Sequence, residues 1–412
     1  LGLGLLTPGA TDESRAARVE LARVVADTRE PNRLRAMAVY ALGMRDELAS
    51  VPMLLEAAAS GGATWDVPAA GASALGLCGA DITLHDLEGM LRGPKRGKKK
   101  DTMRRAYAAH GLALTKDAAA VPALRAAALD SEEDVRRAAV MALGSLAKAD
   151  DDEAAEVLVR ILHRDKDGPA RHMAAIALGR IGHERALSAL RYAYRKGDRM
   201  LQPYAAIGLG LLARHPGMQA SASHPIVHDL EKRANADLRG ALCIAVGLSG
   251  NRADGAPLLR EIVSDRGDPA LRAHAALALG LIGDAEGGAL TLRKVLEDTR
   301  DPVLRREAAL GLGMLGDREA LRLLGRLVEK GHTVYEQGSA AVALGRIGGR
   351  EAGLALLELL KDDRQPALSR AMATVGLGLL LDRSEGERLA AVGADLNWYL
   401  FTPTVSEIVT IL

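Results

Sequence analysis

The amino-acid sequence predicts an all-α fold, a right-handed superhelix of about eleven two-helix repeats with an irregular C-terminal cap. One helical pattern, with a capping residue at each end, recurs along the chain at intervals of 31–37 residues. The composition is 48% hydrophobic but only 2% aromatic, with a single Phe. Because small side chains let helices approach closely, this core favours thin stacked layers over one large globular interior.

The segment Asp268–Asp284 shows the recurring pattern in its clearest form. Asp268 is placed to accept hydrogen bonds from the free amides of a first helical turn, and Pro269 follows where its missing N–H costs nothing. Gly283 is typical of a left-handed C-terminal cap. The apolar residues between these two ends fall on one stripe, namely Leu271, Ala275, Ala278, Leu279 and Ile282.

The pattern returns at Asp301–Asp317 and Asp167–His183, and in more divergent form from Ser131 and Arg364. Each copy carries a glycine three residues before its cap, which we call the anchor glycine. The anchor glycines are Gly43, Gly76, Gly111, Gly144, Gly179, Gly210, Gly247, Gly280, Gly313, Gly345 and Gly378. Such regular spacing is typical of a solenoid.

Helices of a second kind lie between these copies, as in Glu319–Glu329. One face of that segment is apolar, with Ala320, Leu324, Leu327 and Val328. Each repeat therefore consists of an A helix, a turn and a B helix that carries the anchor glycine. Stacking of successive repeats buries the apolar faces that neither helix covers alone.

The B-helix pattern P-x-L-R-x-x-A-A-x-A-L-G-x-I-G resembles the HEAT-like repeats first noted in phycobilisome lyases. The resemblance covers roughly Thr7 to Asp382. It implies the α-solenoid fold. It implies no single activity, because the family spans lyase subunits, scaffolds and regulators.

We expect a single continuous domain, with the repeats in residues 12–383. Residues 1–11 are expected to be the end of a truncated preceding repeat, because Leu1–Leu6 matches the end of a B helix. Residues 384–412 leave the pattern and are expected to cap the last apolar face. This last segment supplies bulky side chains at Trp398, Tyr399 and Phe401.

Charge and motifs exclude several classes of function. The 54 Lys and Arg residues nearly balance the 53 Asp and Glu residues, which argues against bulk binding of polyanions. The chain contains no run of 18 apolar residues, so the sequence predicts no membrane-spanning helix. The G-x-G strings, such as Gly311–Gly313, lie inside helices and indicate close helix contact rather than a nucleotide site. No catalytic motif is present, so we expect no enzyme activity and no cofactor.

Arginine recurs eight residues before the anchor glycine in most repeats. These ladder arginines are Arg35, Arg136, Arg171, Arg239, Arg272, Arg305 and Arg370. A guanidinium at this position is expected to bond an Asp or a turn carbonyl of its own or the adjacent repeat, such as Asp268 or Asp301. A ligand-binding role on the inner face is the alternative.

Two insertions carry candidate ligand contacts. Gly93–Asp101 expands an A–B turn into a predicted flexible basic loop, with possible contacts to an anionic partner from Lys95, Arg96, Lys98, Lys99 and Lys100. A solvated or acid-paired loop is the alternative, since the next such turn is acidic, and the absence of aromatic residues disfavours nucleic acid. Arg214–Ser223 expands a B–A turn, and His215, His224 and His228 are weak metal candidates there.

Four further residues invite a chemical interpretation. His183–Glu184 resembles the pairs from which HEAT-like hydroxylases build a di-iron centre, but one pair cannot ligate two metals, and the equivalent positions elsewhere lack the motif. Cys78 and Cys243 lie in distant repeats, so a disulfide between them is not expected.

We therefore predict a noncatalytic scaffold or adaptor that binds another protein on the concave surface formed by the B helices. The alternatives are an accessory subunit of a lyase or other enzyme, which the resemblance implies, and binding of nucleic acid or phosphate through residues 93–105. The sequence predicts neither the partner's identity nor the oligomeric state.

Overall fold

The structure is a computed structural model that describes residues 12–45, 48–60, 66–93, 99–232 and 238–381. Within these residues it contains 22 α-helices and no strand. Two compact units divide the chain, with the boundary between Ala193 and Tyr194. We describe each unit by itself. The predicted segments at residues 1–11 and 384–412 lie outside the described residues.

The odd-numbered helices are the A helices. They are α1 (Asp12–Ala26), α3 (Val51–Ala59), α5 (Ala80–Arg92), α7 (Val121–Ala127), α9 (Asp152–Arg164), α11 (Glu184–Lys196), α13 (Gln219–Glu231), α15 (Arg252–Ser264), α17 (Gly287–Asp298), α19 (Leu321–Lys330) and α21 (Arg350–Lys361).

The even-numbered helices are the B helices, and each contains one anchor glycine. They are α2 (Asn32–Met44), α4 (Asp66–Leu77), α6 (Lys99–Leu114), α8 (Glu133–Leu146), α10 (Gly168–Ile181), α12 (Leu201–Leu212), α14 (Arg239–Ser249), α16 (Pro269–Ile282), α18 (Pro302–Met314), α20 (Val334–Ile347) and α22 (Ala367–Leu381).

Within each unit the helices form two layers. The B helices pack in succession, from α2 to α10 in the first unit and from α12 to α22 in the second. Apart from α11, at the unit boundary, each A helix packs on the B helix that follows it. The predicted all-α solenoid of A and B helices is confirmed.

The anchor glycines lie where consecutive B helices touch through their backbones, as the sequence predicts. A Cβ atom added to Gly313 would lie 2.6 Å from the Cα of Ala343, and one on Gly280 would lie 2.7 Å from the Cα of Gly311. Side chains do not fit at such distances. Glycine costs about 1 kcal/mol relative to Ala inside a helix, so the close packing must compensate for that cost.

Capping residues end the helices as expected. The Asp268 carboxylate accepts a hydrogen bond from the Ala270 amide at 2.9 Å, and Gly283 adopts a left-handed conformation with φ of 75°. Before α20, Thr333 and Glu336 form a reciprocal capping box. These local signals fix where the B helices α16 and α20 begin and where α16 ends.

Three predicted boundaries are wrong. The segment that begins at Glu319 starts with a 3-10 turn, and α19 begins at Leu321. The Arg214–Ser223 insertion is only partly a turn, because Gly217 takes a φ of 75° and the following Gln-Ala-Ser-Ala run starts α13. In the basic insertion, Lys99, Lys100 and Asp101 form the first turn of α6 rather than a flexible loop.

Substitution of an anchor glycine tests the backbone contact. We expect Gly313→Ala to lower the unfolding midpoint, because the added methyl group meets the Ala343 backbone and overpacking costs about 1–3 kcal/mol. The matched control is Gly325→Ala in α19, where no atom lies within 4 Å of the added Cβ. Ala favours a helix, so this variant should gain up to about 1 kcal/mol in chemical denaturation. Equal changes in the free energy of unfolding for both variants would contradict the assignment of Gly313 to a backbone contact between B helices.

Candidate functional site

Three of the ladder arginines bond the end of the A helix in their own repeat. The Nε atoms of Arg35, Arg272 and Arg370 donate to the main-chain oxygens of Val25, Val263 and Leu360 at 3.0, 2.9 and 3.1 Å. Carbonyl groups in the last turn of a helix have no partner within that helix. Each guanidinium therefore supplies the hydrogen bond that fixes an A helix to its B helix.

Two other ladder arginines reach the next repeat. Arg136 bonds both carboxylate oxygens of Asp165, with Nε–Oδ2 and Nη2–Oδ1 distances of 3.0 and 3.1 Å. Arg305 lies 3.3 Å from the carboxylate of Glu336, which is fully buried. Arg171 stands in the first turn of α10, and Arg239 begins α14. The ladder position therefore makes contacts both within and between repeats.

Two residues with the same role escape a search for arginine at this fixed spacing. Gln337 occupies the ladder position of α20, and its Nε2 donates to the Val328 oxygen at 3.1 Å. Arg105 lies two residues after the ladder position of α6 and donates from Nε to the Leu91 oxygen at 2.9 Å. The Arg105 side chain also forms an ion pair with Asp130 and is only 3% exposed, so it is not a surface cation.

A neighbouring arginine links two repeats of the first unit through a helix cap. Arg137 of α8 bonds both oxygens of Asp167, at 2.8 and 2.7 Å, and Asp167 also caps α10 through the Ala170 amide. Burial alone would raise the pKa of Asp167, but these hydrogen bonds outweigh it and hold the pKa below its usual range.

Replacement of Arg272 tests whether the ladder is structural. We expect Arg272→Ala to lower the free energy of unfolding by about 1.5–3 kcal/mol, the range for a hydrogen bond to a charged group, as measured by chemical denaturation. Arg272→Gln should retain most of that stability, because Gln337 makes the equivalent bond with an amide. Unchanged stability of Arg272→Ala together with loss of a bound partner would assign the ladder to binding instead.

The structure describes little of the predicted basic loop. Lys95, Arg96 and Lys98 lie outside the described residues, whereas Lys99 and Lys100 begin α6. Asp130, in the acidic turn between α7 and α8, already has partners. Its carboxylate forms an ion pair with Arg105, and its main-chain oxygen accepts a hydrogen bond from Arg136. The contact to an anionic partner stays a prediction.

Removing the charges of the basic loop distinguishes its two interpretations, a solvated or acid-paired loop and a contact to nucleic acid. Replacing Lys95, Arg96, Lys98, Lys99 and Lys100 with Ser should leave the melting temperature within about a degree or two, because exposed pairs contribute little. Duplex DNA retention should weaken only as far as the lost charge requires. Submicromolar duplex binding at physiological salt, abolished by this replacement, would support the nucleic-acid interpretation.

A groove of about 720 Å³ lies between the A helices α13 and α15, and two of the three histidine candidates line it. The rings of His224 and His228 are 5.9 Å apart between centroids. His228 Nδ1 lies 3.3 Å from Asp229 Oδ1, and Asp229 Oδ2 accepts a 2.6 Å hydrogen bond from Tyr194. His215 precedes α13 and does not line the groove.

The described ranges contain no group of three or more His, Cys, Asp or Glu side chains arranged for a metal. His183 is buried and bonded locally, with its Nδ1 accepting from the Arg185 amide at 3.1 Å and its Nε2 3.4 Å from Asp152. Neither cysteine forms a disulfide and both are buried, and burial raises the pKa of the Cys243 thiol to about 12. Throughout the described part of the chain, no helix has the length and apolarity to cross a membrane.

The B helices expose one face opposite the A helices. In a B helix the anchor glycine contacts the next B helix, and the ladder arginine contacts the A helix. Three other positions point away from both of these neighbouring helices. They lie ten and three residues before the anchor glycine and one residue after it. At these positions Ile244 of α14 and Leu277 of α16 are buried. The middle of this face is therefore closed in these two repeats, although Ala270 at its start in α16 is exposed.

The same face opens in the last three described repeats. We call this surface the inner B face, and it consists of Val303, Leu310 and Met314 of α18, Tyr335, Val342 and Arg346 of α20, and Leu368, Val375 and Leu379 of α22. Tyr335 is 69% exposed, Leu368 53% and Val303 44%. Exposed apolar side chains aligned over three repeats are typical of a protein-binding surface.

The sequence pattern and the fold are similar to known proteins. A family model described as HEAT repeats matches residues 95–172, 145–210 and 289–377. No curated protein sequence matches the chain.

Three solved structures are similar to the chain at low sequence identity. Human deoxyhypusine hydroxylase in complex with glycerol is 19% identical over 64% of this chain and 96% of its own, with a TM-score of 0.31. The complex of CpcE and CpcF of phycocyanin lyase from Nostoc sp. PCC7120 is 20% identical over 63% and 94%, with a TM-score of 0.39. A Kap95p complex with RanGDP is 14% identical over 99% and 61%, with a TM-score of 0.40. These likenesses bear on neither activity nor partner.

Proposed function

We propose that this chain, which belongs to the HEAT-repeat family, is a noncatalytic scaffold that binds a partner protein on the inner B face of its second unit. The observation that carries the proposal is the alignment of Val303, Tyr335 and Leu368 at equivalent positions of α18, α20 and α22. Each of these apolar side chains is more than two-fifths exposed.

The composition makes this exposure informative. Aromatic residues form 2% of the chain, yet Tyr335 is more than two-thirds exposed. Tyrosine buries a large area at little cost in conformational entropy and is enriched in binding sites. The inner B face is otherwise mainly aliphatic, and an apolar surface with an aromatic side chain is typical of the core of a protein interface.

Variants of the inner B face test the proposal. In co-purification followed by mass spectrometry, we expect Tyr335→Ser combined with Leu368→Ser to lose the specific partner that the parent chain retains. A central aromatic anchor contributes about 2 kcal/mol or more to binding, which corresponds to a loss of at least about thirtyfold in affinity.

The matched control lies on an A helix of the same unit. Leu354 of α21 is 52% exposed but does not belong to the inner B face, so Leu354→Ser should keep the partner. Loss of the partner in the control alone would contradict the proposal. If the captured partner is an enzyme subunit, the chain is an accessory subunit.

A further inference from the structure

Several A helices carry an arginine that pairs with an aspartate near the start of the next A helix. Arg125 of α7 lies 3.4 Å from Asp151, and Arg293 of α17 lies 2.9 Å from Asp317. Asp151 also caps α9 through the Ala154 amide. Each pair links two consecutive A helices and supplies a carboxylate to a guanidinium at the edge of the A layer.

This pairing stops between α9 and α11. Arg160 occupies on α9 the position that Arg293 occupies on α17, nine residues after an aspartate. Its counterpart in the next repeat, four residues after the anchor glycine, is His183 instead of an aspartate. His183 is buried and offers no carboxylate. Among the described residues Arg160 forms no ion pair, and its side chain is exposed. The charge of Arg160 therefore stays available to another molecule.

The last turn of α9 adds further positive charge. Arg164 lies four residues after Arg160 and shares its face of the helix, and Lys166 follows the end of the helix. Both side chains are exposed, and neither forms an ion pair within the described part of the chain. The neighbouring carboxylates of Asp165 and Asp167 are already bonded to arginines of the preceding B helix. They therefore do not neutralise these cations.

An aromatic pair lies beside the cations. The rings of His163 and Tyr192 meet edge to face, with their centroids 5.4 Å apart. Tyr192 of α11 is 62% exposed, although aromatic residues form only 2% of the chain. Partial burial and the charge of Arg164 lower the pKa of His163, so its ring is neutral at pH 7. The pair therefore presents an aromatic surface next to the guanidiniums.

We call this surface the cationic patch, and it consists of Arg160, His163, Arg164, Lys166 and Tyr192. Glu156, one turn before Arg160, offsets only part of its charge. The first turns of α9 and α11 are acidic, with Asp152, Glu153 and Glu184. These carboxylates would repel a long polyanion that extended past the patch, whereas a short anionic segment fits within it.

We infer that the cationic patch binds a short acidic segment of a partner protein, in which Asp or Glu residues flank an apolar side chain. The carboxylates of the segment pair with Arg160, Arg164 and Lys166, since a guanidinium binds a carboxylate through two parallel hydrogen bonds. The apolar side chain packs against the exposed ring of Tyr192. The patch belongs to the first unit, so this inference goes beyond the inner B face of the second unit.

The test uses the full chain and a fluorescein-labelled peptide of about eight residues, in which Glu residues flank a central Phe. Fluorescence anisotropy should show saturable binding that weakens with salt. Arg160→Gln combined with Arg164→Gln should lower the affinity by about tenfold, the loss expected for two exposed ion pairs. Tyr192→Ser should lower it by about threefold, because the apolar contact is lost. All these side chains are exposed, so the variants should melt like the parent chain.

The matched control removes the same charge from another A helix. Arg322 and Arg326 of α19 are also exposed and one turn apart, but α19 and the A helices beside it, α17 and α21, contain no aromatic residue. Arg322→Gln combined with Arg326→Gln should change the affinity by less than about twofold. An equal loss in both double variants would overturn the inference. So would the absence of binding to the parent chain, or equal binding of a peptide with Gln in place of Glu.

A fluorescein-labelled single-stranded DNA of about ten nucleotides tests for a different occupant. Stacking of several bases needs several aromatic side chains, so we expect the DNA to bind more weakly than the peptide. Tighter binding of the DNA, lost in the Arg160 and Arg164 variant, would overturn the inference in favour of nucleic acid.

The outcome is independent of the proposed function. Tyr335→Ser should leave the peptide affinity unchanged, whereas the Arg160 and Arg164 variant should leave partner capture through the inner B face unchanged. Failure of either surface is therefore visible without reference to the other.

Discussion

Backbone contact between consecutive B helices is the constraint on which each unit depends. Where Gly280 meets Gly311 and Gly313 meets Ala343, no side chain separates the helices, so their spacing is set by main-chain atoms. A core built this way gains density from close approach rather than from large side chains. That explains how a chain with a single Phe maintains an ordered interior.

The A helices are held by other means. Their packing on the B layer is supplemented by guanidinium and amide donors that reach the last carbonyls of several A helices, as Arg272 does with Val263. Polar bonds of this kind tolerate variation, because Arg and Gln both reach the acceptor. The A layer can therefore differ between repeats, and the groove between α13 and α15 arises in this more variable layer.

Much of the fold is predictable from the sequence because its signals are local. Caps such as Asp268 and Gly283 act within one turn, and the anchor glycines repeat at a nearly constant interval. The candidate surfaces depend on spacing across repeats and are harder to predict. Tyr335 and Ile244 belong to the same face, yet only the packed structure shows that the first is exposed and the second buried. Arg105 was missed because it lies two residues away from the position its role implies.

The two cysteines give each unit its own chemical reporter. Cys78 belongs to the first unit and Cys243 to the second, and both thiols are buried and outside any disulfide. A buried thiol reacts with an alkylating reagent when the structure around it opens, so the rate of modification measures local opening. Since each unit contains one cysteine, the modification of each thiol reports the conformational stability of one half of the chain, without any engineered label.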